Sequence, residues 1–473
     1  MSVRHYKLML TTVGPLHVGN GGAYTKKDYF QIDSESVGVL DMPKFFDKLN
    51  PEERDDYCEF LRTGSNVSLQ VFLNGHPRLQ TLARKCVQYK VEMTLTKAPR
   101  GDTLFYDVAQ FVKDAYGCPY IPGSSMKGML RTALLTQLIL DNPEGYMKLY
   151  NSSLARGKDR GKACRAIEKS AFWTESFSTN DGVETNDIMR YVSVSDSEPL
   201  TTRDLIFVKK YDRFANSDPG NHKPTMGRIS QDPSYRQGNA LNIYRECIKP
   251  GASVVFKLDI DDRIDAYLGD LTLDHAGITT ILENAYKLYS KCFLDRFDTE
   301  TAGITAGGSG LTSDGRCNYV YASGPLAGMR CRNAALEGVG YCRLHQEHAA
   351  AAGKQLTCVL GGGVDFDSKT IVNALFADES ARLKEIAGIL YSQFPTRLDP
   401  TLHETLQRKV RTAGYSPIAM HARWKGDKLS KGKDDHRHWM DEQLGVSPHT
   451  AKLGIIGSKK YSMGRCSITI EET

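Results

Sequence analysis

The sequence has no run of eighteen consecutive apolar residues, which is about the minimum for a helix that crosses a bilayer. Its first residues also have no apolar stretch ahead of a small-residue cleavage site, which a secretory signal peptide needs. Both absences predict a cytoplasmic protein with no membrane partner. The eleven cysteines of such a chain are not expected to form a disulfide framework.

The sequence also has no large excess of one charge and no nuclease motif. Its 61 basic and 56 acidic residues give a net charge of +5, which neither demands nor excludes a nucleic-acid partner. It has no Gly-x-x-x-x-Gly-Lys-Ser/Thr loop, no His-Asp metal motif and no carboxylate cluster. His17 is a candidate general base, but a lone histidine in a turn more often packs or forms a structural hydrogen bond.

Length and hydrophobic periodicity predict the fold class. A chain of 473 residues is expected to form two or three domains. Residues 6–13 and 253–260 read as strands, whereas apolar residues recur at helical spacing in 124–140 and 274–294. Because strands and helices alternate without a regular βαβ repeat, we expect an α+β architecture with antiparallel sheets.

Other segments are interpreted from local signals. Pro51 suits the first turn of a helix that ends near Arg62. Asp365 and Asp367 are interpreted as caps for the helix that follows them, although they could bind a cation. Three further predictions concern a basic insert, flexible or helical, at 155–169, a single helix at about 370–391 and a charged loop at 425–438.

The start of the helix at 124–140 has the properties of a phosphate-binding site. Ser124 or Ser125 is expected to cap the helix, and Gly123 lets a ligand approach the backbone. Lys127 and Arg131 lie four residues apart and so share one helical face. Free N–H groups, hydroxyls and two cations suit a phosphodiester backbone. The alternative is an ordinary capped amphipathic helix with a basic polar face.

Three glycine-rich turns, at 14–22, 360–363 and 454–464, add a weaker signal for phosphate binding. Glycine permits positive φ and exposes backbone N–H groups, which phosphate contacts use. Lysines lie near these turns in the sequence, namely Lys26, Lys27, Lys369, Lys459 and Lys460. For any one turn taken alone, ordinary turn chemistry is the more common explanation.

A cysteine-rich segment has the spacing of a metal site. Cys317, Cys331, Cys342 and His345 form a Cys-x13-Cys-x10-Cys-x2-His pattern. Three thiolates and one imidazole satisfy the tetrahedral preference of Zn²⁺, and a closed set of four ligands is structural and not catalytic. The segment has few large apolar residues to form a core without a metal. Unligated cysteines in a loop are the alternative.

Three blocks of residues resemble the fifth Csm-type family of RAMP proteins from type III-A CRISPR effector complexes. They read Gly-Pro-Leu-His-Val-Gly-Asn-Gly at 14–21, Ile-Pro-Gly-Ser-Ser-Met-Lys-Gly-Met-Leu-Arg at 121–131 and Leu-Gly-Gly-Gly-Val-Asp-Phe-Asp-Ser-Lys-Thr at 360–370. The second block is characteristic of RAMP proteins broadly. The third block and Met-Gly-Arg-Cys at 463–466 point to this family. The resemblance extends over residues about 6 to 470, apart from inserts.

The sequence departs from the family pattern in two ways. The third block often reads Gly-Trp-Gly or Gly-x-Gly-x-Gly in relatives, whereas three consecutive glycines stand here. The cysteine-rich segment is not part of the usual pattern, so no role can be transferred to it.

The resemblance implies tandem RRM-like (ferredoxin-like) RAMP domains with inserts and a small zinc-binding module. We expect an N-terminal domain at 1–262 and a C-terminal domain at 263–473, with the zinc module inserted at 306–354.

The resemblance also implies a function. Such a subunit is not an enzyme, binds RNA and caps the backbone filament at the 3′ end of the CRISPR RNA, where it supports 3′-end maturation and antiviral defence. The implied partners are CRISPR RNA, target RNA, the neighbouring RAMP backbone subunit, the small helical subunit and host 3′-end-trimming nucleases. The residues expected to face RNA phosphates are Ser124, Ser125, Lys127 and Arg131, with His17 and Gly19 lining the same groove.

Two other functions stay open at the level of sequence. Other RAMP proteins cut repeat RNA with a histidine general base, and His17 would be the candidate here. Alternatively, the zinc module could make the chain an adaptor that recruits a protein or a nucleic acid.

Overall fold

The computed structural model describes most of the chain outside several loops and most of the cysteine-rich segment. The described residues are 2–64, 67–97, 103–155, 160–174, 186–215, 239–297, 331–333, 343–345, 355–393, 423–425, 428–430 and 445–473. Across these ranges, no helix combines the length and apolar character needed to cross a bilayer.

The strands are short to medium in length and are distributed along the chain. They are β1 (Val3–Thr12), β2 (Gly19–Tyr24), β3 (Tyr29–Gln31), β4 (Ser36–Leu40), β5 (Val87–Met93), β6 (Thr96–Lys97), β7 (Thr103–Leu104), β8 (Val108–Phe111), β9 (Val192–Val194), β10 (Leu205–Phe214), β11 (Asn239–Ile248), β12 (Ser253–Asp261), β13 (Leu356–Val359), β14 (Arg423–Lys425), β15 (Lys428–Ser430), β16 (Thr450–Ile456), β17 (Lys459–Ser462) and β18 (Arg465–Glu472).

The helices fall into an N-terminal group and groups that cover the first sheet. They are α1 (Met42–Asp47), α2 (Pro51–Arg62), α3 (Leu69–Asn74), α4 (Pro77–Lys85), α5 (Gly123–Asp141), α6 (Pro143–Ala155), α7 (Arg160–Phe172), α8 (His275–Cys292), α9 (Val372–Leu375) and α10 (Glu379–Gln393). Short 3-10 helices occur at Ile188–Tyr191, Thr202–Asp204, Asp262–Tyr267, Leu294–Arg296, Arg343–His345 and Phe366–Ser368.

The first sheet is antiparallel and has the order β13-β18-β1-β12-β9. β1 lies in its centre, where Leu8 pairs with Phe256 of β12 on one side and with Ile470 of β18 on the other. Alternate residues of β1 are buried, as the period of two predicts. The first strand predicted from sequence therefore lies between strands from the middle and the end of the chain.

Helices α5 and α8 cover the apolar face of this sheet. Met126 and Leu130 of α5 and Ile278 and Ile281 of α8 are buried in one hydrophobic cluster with the inward side chains of β1, β12 and β18. Both helices were predicted from their apolar spacing, and the structure confirms them. Burying their apolar faces against the sheet is what makes their amphipathic sequences fold there.

The second sheet is mixed and has the order β2-β8-β11-β10-β5-β4-β3. β10 pairs antiparallel with β11 and also with β16, which carries β17 at its other edge. Parallel pairing occurs between β5 and β10 and between β8 and β11. The predicted α+β class is confirmed, and among the described strands the pairings are antiparallel apart from these two.

Helices α1 to α4 form an insert with its own small core. Phe45, Tyr57, Phe60 and Phe72 pack together there, separate from the main cluster. Asn50 caps α2 through a capping box, since its side chain accepts from the Glu53 amide and the Glu53 carboxylate accepts from the Asn50 amide. The helix predicted at 51–62 is confirmed.

Three local predictions were wrong, and one was resolved. The single helix expected at 370–391 is split into α9 and α10, because the Asp378 side chain accepts from the Ala381 amide and starts a new helix. Residues 19–22 of the glycine turn predicted at 14–22 are part of β2, which pairs with β8. Part of the charged loop at 425–438 pairs as β14 and β15. The basic insert is helical where it is described, as α7.

The two predicted domain ranges share the first sheet. β1 and β12 come from residues 1–262, whereas β13 and β18 come from 263–473. The boundary at residue 262 stays a prediction. The described part of the chain does bring side chains from both ranges into the main hydrophobic cluster.

Candidate nucleic-acid interface

The three glycine turns meet in one place. The Gly362 amide donates to the His17 carbonyl at 2.6 Å, and the Gly464 amide donates to the Pro15 carbonyl at 2.9 Å. A Cβ atom at Gly361 would lie 2.3 Å from the His17 carbonyl oxygen, and Gly361 has φ +85°. These glycines therefore permit close backbone packing between turns from distant parts of the sequence.

A cleft opens beside this junction, between α5, α8, β13 and the turn at 361–363. Its volume is about 460 Å³. Four residues predicted to contact RNA line it, namely Gly19, Ser124, Ser125 and Lys369. The structure thus brings together parts of all three resemblance blocks, although their contact with RNA stays a prediction.

Several residues of this cleft were not found by sequence reasoning. They include Gly128, Met129, Thr132, Ala133, Leu282, Ala285, Tyr286 and Thr357. Gly128 and Met129 stand inside the resemblance block at 121–131 without a predicted contact of their own, and Leu282 stands in a segment that showed only helical periodicity. Their position at the cleft depends on how α5 and α8 pack, which no sequence pattern specified.

The predicted serine caps of α5 were wrong. The N-cap residue is Pro122, no side chain of the cap residue bonds to the helix, and Ser124 and Ser125 lie within the first turn. The Gly123 amide instead donates to the Asp196 carboxylate at 2.8 Å. A carboxylate therefore already occupies one position at the positive end of this helix.

Lys127 and Arg131 lie outside the residues that line the cleft. Arg131 forms ion pairs with Glu168 at 3.0 Å and with Asp187 at 2.6 Å. Its guanidinium also lies 4.0 Å from the centre of the Phe172 ring. Burial lowers the pKa of Lys127, and the nearby Asp187 carboxylate opposes that change. A phosphate contact by either side chain stays a prediction, and for Arg131 it requires breaking existing ion pairs.

The other predicted lysines are distributed over the surface. The Lys369 ammonium donates to the Gly361 carbonyl at 2.5 Å, and partial burial lowers the pKa of Lys369. Lys459 is exposed on β17, whereas the Lys460 ammonium lies 4.0 Å from the centre of the Tyr211 ring. Neither Lys459 nor Lys460 lines the cleft.

Lys27 has a structural contact. Its ammonium donates to the carbonyls of Phe60, Leu61 and Thr63 at 2.9, 2.9 and 2.6 Å. These carbonyls end α2, so Lys27 neutralises the negative end of that helix. Its nearness to a glycine turn in the sequence therefore reflects helix capping.

His17 is buried under the glycine junction. Its Nδ1 lies 2.7 Å from the backbone carbonyl oxygen of Glu246. Burial lowers the pKa of His17, the hydrogen bond to Glu246 opposes this, and the charge of Arg245 adds to the lowering. A Cβ at Gly19 would lie 2.9 Å from Nε2 of His17. The imidazole is therefore neutral and closely packed at neutral pH.

A fully buried carboxylate, Glu246, holds the strands beneath His17. It accepts from the Lys113 ammonium at 2.5 Å, from the Tyr89 hydroxyl at 2.6 Å and from the Phe111 amide at 2.9 Å. These bonds satisfy a charge that would otherwise be costly to bury. The sequence shows only a glutamate in a strand pattern, so this network was missed.

Asp365 joins three elements near the cleft, which corrects the prediction that it caps a helix. Its carboxylate accepts from the Tyr289 hydroxyl at 2.7 Å and from the Lys452 amide at 2.6 Å. It makes no capping bond to the 3-10 helix Phe366–Ser368. Burial raises the pKa of Asp365 to about 6, although both hydrogen bonds oppose the change.

The predicted zinc site falls largely outside the described residues. Cys317 and Cys342 are not among them, Cys331 is buried, and the backbone of Arg343–His345 forms one 3-10 turn. The zinc site therefore stays a prediction.

Comparison with known proteins identifies the family. The family model described as the RAMP superfamily matches residues 9–274. The protein named CRISPR system Cms protein Csm5 from Streptococcus thermophilus is 28% identical over 307 residues, which cover 62% of this chain and 73% of that protein. The protein of the same name from Enterococcus italicus is 24% identical over 408 residues, covering 82% of this chain and 86% of that protein.

A solved structure supports the fold. It is a chain of a cryo-EM structure of a Csm-crRNA-target RNA ternary complex from a type III-A CRISPR-Cas system. The TM-score is 0.53 at 14% identity, and the alignment covers 98% of this chain and 100% of that chain. The matched family model extends over more than half of the sequence, from β1 to the residue before helix α8. The chain therefore belongs to the RAMP superfamily.

Proposed function

We propose that the chain is a non-catalytic, RNA-binding subunit of a type III-A CRISPR (Csm) complex. In this proposal it caps the backbone at the 3′ end of the CRISPR RNA and supports 3′-end maturation and antiviral defence in the cytoplasm. Similarity to Csm5 proteins over up to 82% of the chain supports it. The observation that carries the RNA-binding part is the cleft that joins Gly19, Ser124, Ser125 and Lys369.

The chemistry of the cleft supports RNA as the ligand. Ser124 and Ser125 of α5 line one side of the cleft, and Lys369 lines it together with Gly361 and Gly362 of the glycine turn. Hydroxyls, backbone amides and single cations are the usual contacts to phosphate and ribose. Partners in this proposal are CRISPR RNA, target RNA, the neighbouring RAMP backbone subunit, the small helical subunit and host trimming nucleases.

A charge placed at the cleft tests RNA binding. Ser124→Asp adds a carboxylate in the first turn of α5. The helix dipole stabilises a negative charge there, but the carboxylate repels an RNA phosphate. Ala276→Asp adds the same charge in the first turn of α8, away from the cleft-lining residues, as a matched control. RNA affinity should fall in the first variant alone, and in the wild type it should weaken steeply with salt.

The capping role is tested in the assembled complex. Complexes purified with the Ser124→Asp subunit should lose that subunit or contain guide RNAs with ragged, untrimmed 3′ ends. Complexes with Ala276→Asp should match the wild type. Unchanged guide lengths and composition in both variants would contradict a capping role for this cleft.

The endoribonuclease alternative has its own test. Burial of His17 and its bond to the Glu246 carbonyl support a structural role for the imidazole. We therefore expect the purified protein to leave repeat RNA intact. Cleavage that disappears in His17→Ala would instead favour catalysis.

We also propose that Cys317, Cys331, Cys342 and His345 hold a structural Zn²⁺. The ligand spacing and the burial of Cys331 support this proposal. Metal analysis of the purified protein should give one zinc per chain, which Cys342→Ser should lower. Deleting residues 310–350 then separates the possible roles: loss of a partner with folding intact indicates an adaptor, whereas global unfolding indicates a structural staple.

A further inference from the structure

No contact among the described residues requires glycine at position 128. It lies in the interior of α5, is exposed and lines the cleft. A Cβ atom built there meets no atom of the described residues within 4 Å, and its φ lies outside the left-handed region. Because glycine destabilises a helix relative to alanine, Gly128 lowers the stability of α5, and no packing contact among the described residues compensates for it. What it provides is free space along one wall of the cleft.

The cleft has the size and lining of a pocket for one small organic group. A volume of about 460 Å³ falls within the roughly 300–1,000 Å³ of ligand pockets. Ala133, Leu282 and Ala285 give it an apolar end, and Tyr286 contributes an aromatic ring. A base and its ribose therefore fit the cleft better than a purely ionic ligand does.

The charge of the cleft excludes a run of phosphates. Among the described residues that line it, Lys369 is the one basic side chain. Tracking several phosphates needs several cations along the path. Arg131, which could have supplied a second charge, is paired with Glu168 and Asp187. One cation, several hydroxyls and an apolar end match one nucleotide.

We infer that this cleft binds a single unpaired nucleotide of RNA. The base inserts toward Ala133, Ala285 and Tyr286 along the space left by Gly128, and its phosphate lies at the Lys369 ammonium. Proteins commonly recognise single-stranded RNA by taking up unstacked bases in this way. The inference rests on the proposed RNA-binding function and adds that the cleft selects one nucleotide position.

The test combines an abasic scan with a variant that fills the cleft. RNAs that lack the base at one position each are titrated against the full-length protein. Gly128→Met places a side chain in the free space and should raise the melting temperature, because it improves helix propensity. Gly64→Met is the control for the added side chain, since a Cβ at Gly64 also meets no atom of the described residues within 4 Å and Gly64 does not line the cleft.

The expected result is specific to one position. With wild type and Gly64→Met, removal of one particular base should weaken binding about five- to a hundredfold, and removal of other bases should have little effect. Gly128→Met should bind all these RNAs with the same reduced affinity, while remaining at least as stable as the wild type. The location of the sensitive base distinguishes a 3′-terminal nucleotide from an internal one.

Two results would overturn the inference without affecting the proposed function. In the first, the wild-type protein binds RNA with a steep salt dependence, but its affinity is the same whichever base is removed. In the second, the Gly128→Met variant still binds more weakly when that one particular base is removed. A wild-type protein with no RNA affinity would refute the proposed function itself, and the nucleotide pocket with it.

Discussion

The amide of Gly362 donates a hydrogen bond of 2.6 Å to the carbonyl of His17. This bond joins a turn near the start of the chain to one in its C-terminal third, directly beside the cleft. A third turn joins the same junction, because the amide of Leu360 donates to the carbonyl of Gly464 at 2.8 Å. Two positions of this junction require glycine, because a Cβ at Gly361 would lie 2.3 Å from the His17 carbonyl oxygen and a Cβ at Gly464 would lie 2.1 Å from the Leu360 carbonyl oxygen.

Gly361→Ala should destabilise this junction. The new Cβ would lie 2.3 Å from the His17 carbonyl oxygen at a residue with φ +85°. Such strain costs on the order of 1–3 kcal/mol, so the free energy of unfolding should fall by about that amount. Urea denaturation measures it, with Gly64→Ala as a control in open space. Equal midpoints for the two variants would contradict the close packing seen here.

Asp365→Asn should remove a pH dependence of stability. Burial raises the pKa of Asp365 to about 6 from 3.8, so the folded state binds this proton more tightly than the unfolded state. The contribution of Asp365 to the free energy of unfolding therefore falls as pH rises from about 4 to 6, by about 3 kcal/mol in total. The difference between wild-type and variant unfolding curves across this range measures it. Parallel pH profiles would show that Asp365 does not titrate there.

Arg131→Ala should affect stability more than RNA binding. The change removes ion pairs to Glu168 and Asp187 and the contact with the Phe172 ring. We expect a loss of about 1–3 kcal/mol in the free energy of unfolding and an unchanged salt slope of RNA affinity. If the slope falls by about one at unchanged stability, Arg131 contacts a phosphate, as the sequence alone suggested.

Lys27→Ala should loosen the helical insert locally. The ammonium donates hydrogen bonds to three carbonyls at the end of α2. Loss of these bonds should lower the local stability of the helix by about 1 kcal/mol. Hydrogen exchange of the last turn of α2 should accelerate, while exchange in β1 stays the same. Lys26→Ala is the neighbouring control. Equal hydrogen-exchange rates in the two variants would mean that water replaces the ammonium at these carbonyls with no loss of helix stability.

Element type could be predicted where one periodicity dominates the sequence. Alternation in β1 and β12 and the apolar spacing of α5 and α8 gave the correct elements, because each buries one face against a single core. The helix expected at 370–391 was wrong because one polar residue, Asp378, restarts the helix through its cap. Apolar spacing alone does not register such an interruption.

The partners of polar residues could not be predicted. Asp365 follows a glycine turn in sequence and resembles a cap, yet its carboxylate bonds to Tyr289 and to the Lys452 amide. Lys27 and Arg131 resemble phosphate ligands, yet the fold supplies them with carbonyls and carboxylates. Which charges remain available depends on distances across elements, and these exist only after folding.

The sequence by itself determined the α+β class, the main strands and helices and the blocks that identify the superfamily, because these depend on local periodicity and short motifs. Only the tertiary structure decided that Gly19, Ser124 and Lys369 share one cleft and that Gly128 faces open space. The physical reason is that β1 lies between β12 and β18, so sheet pairing brings residues from both ends of the chain together.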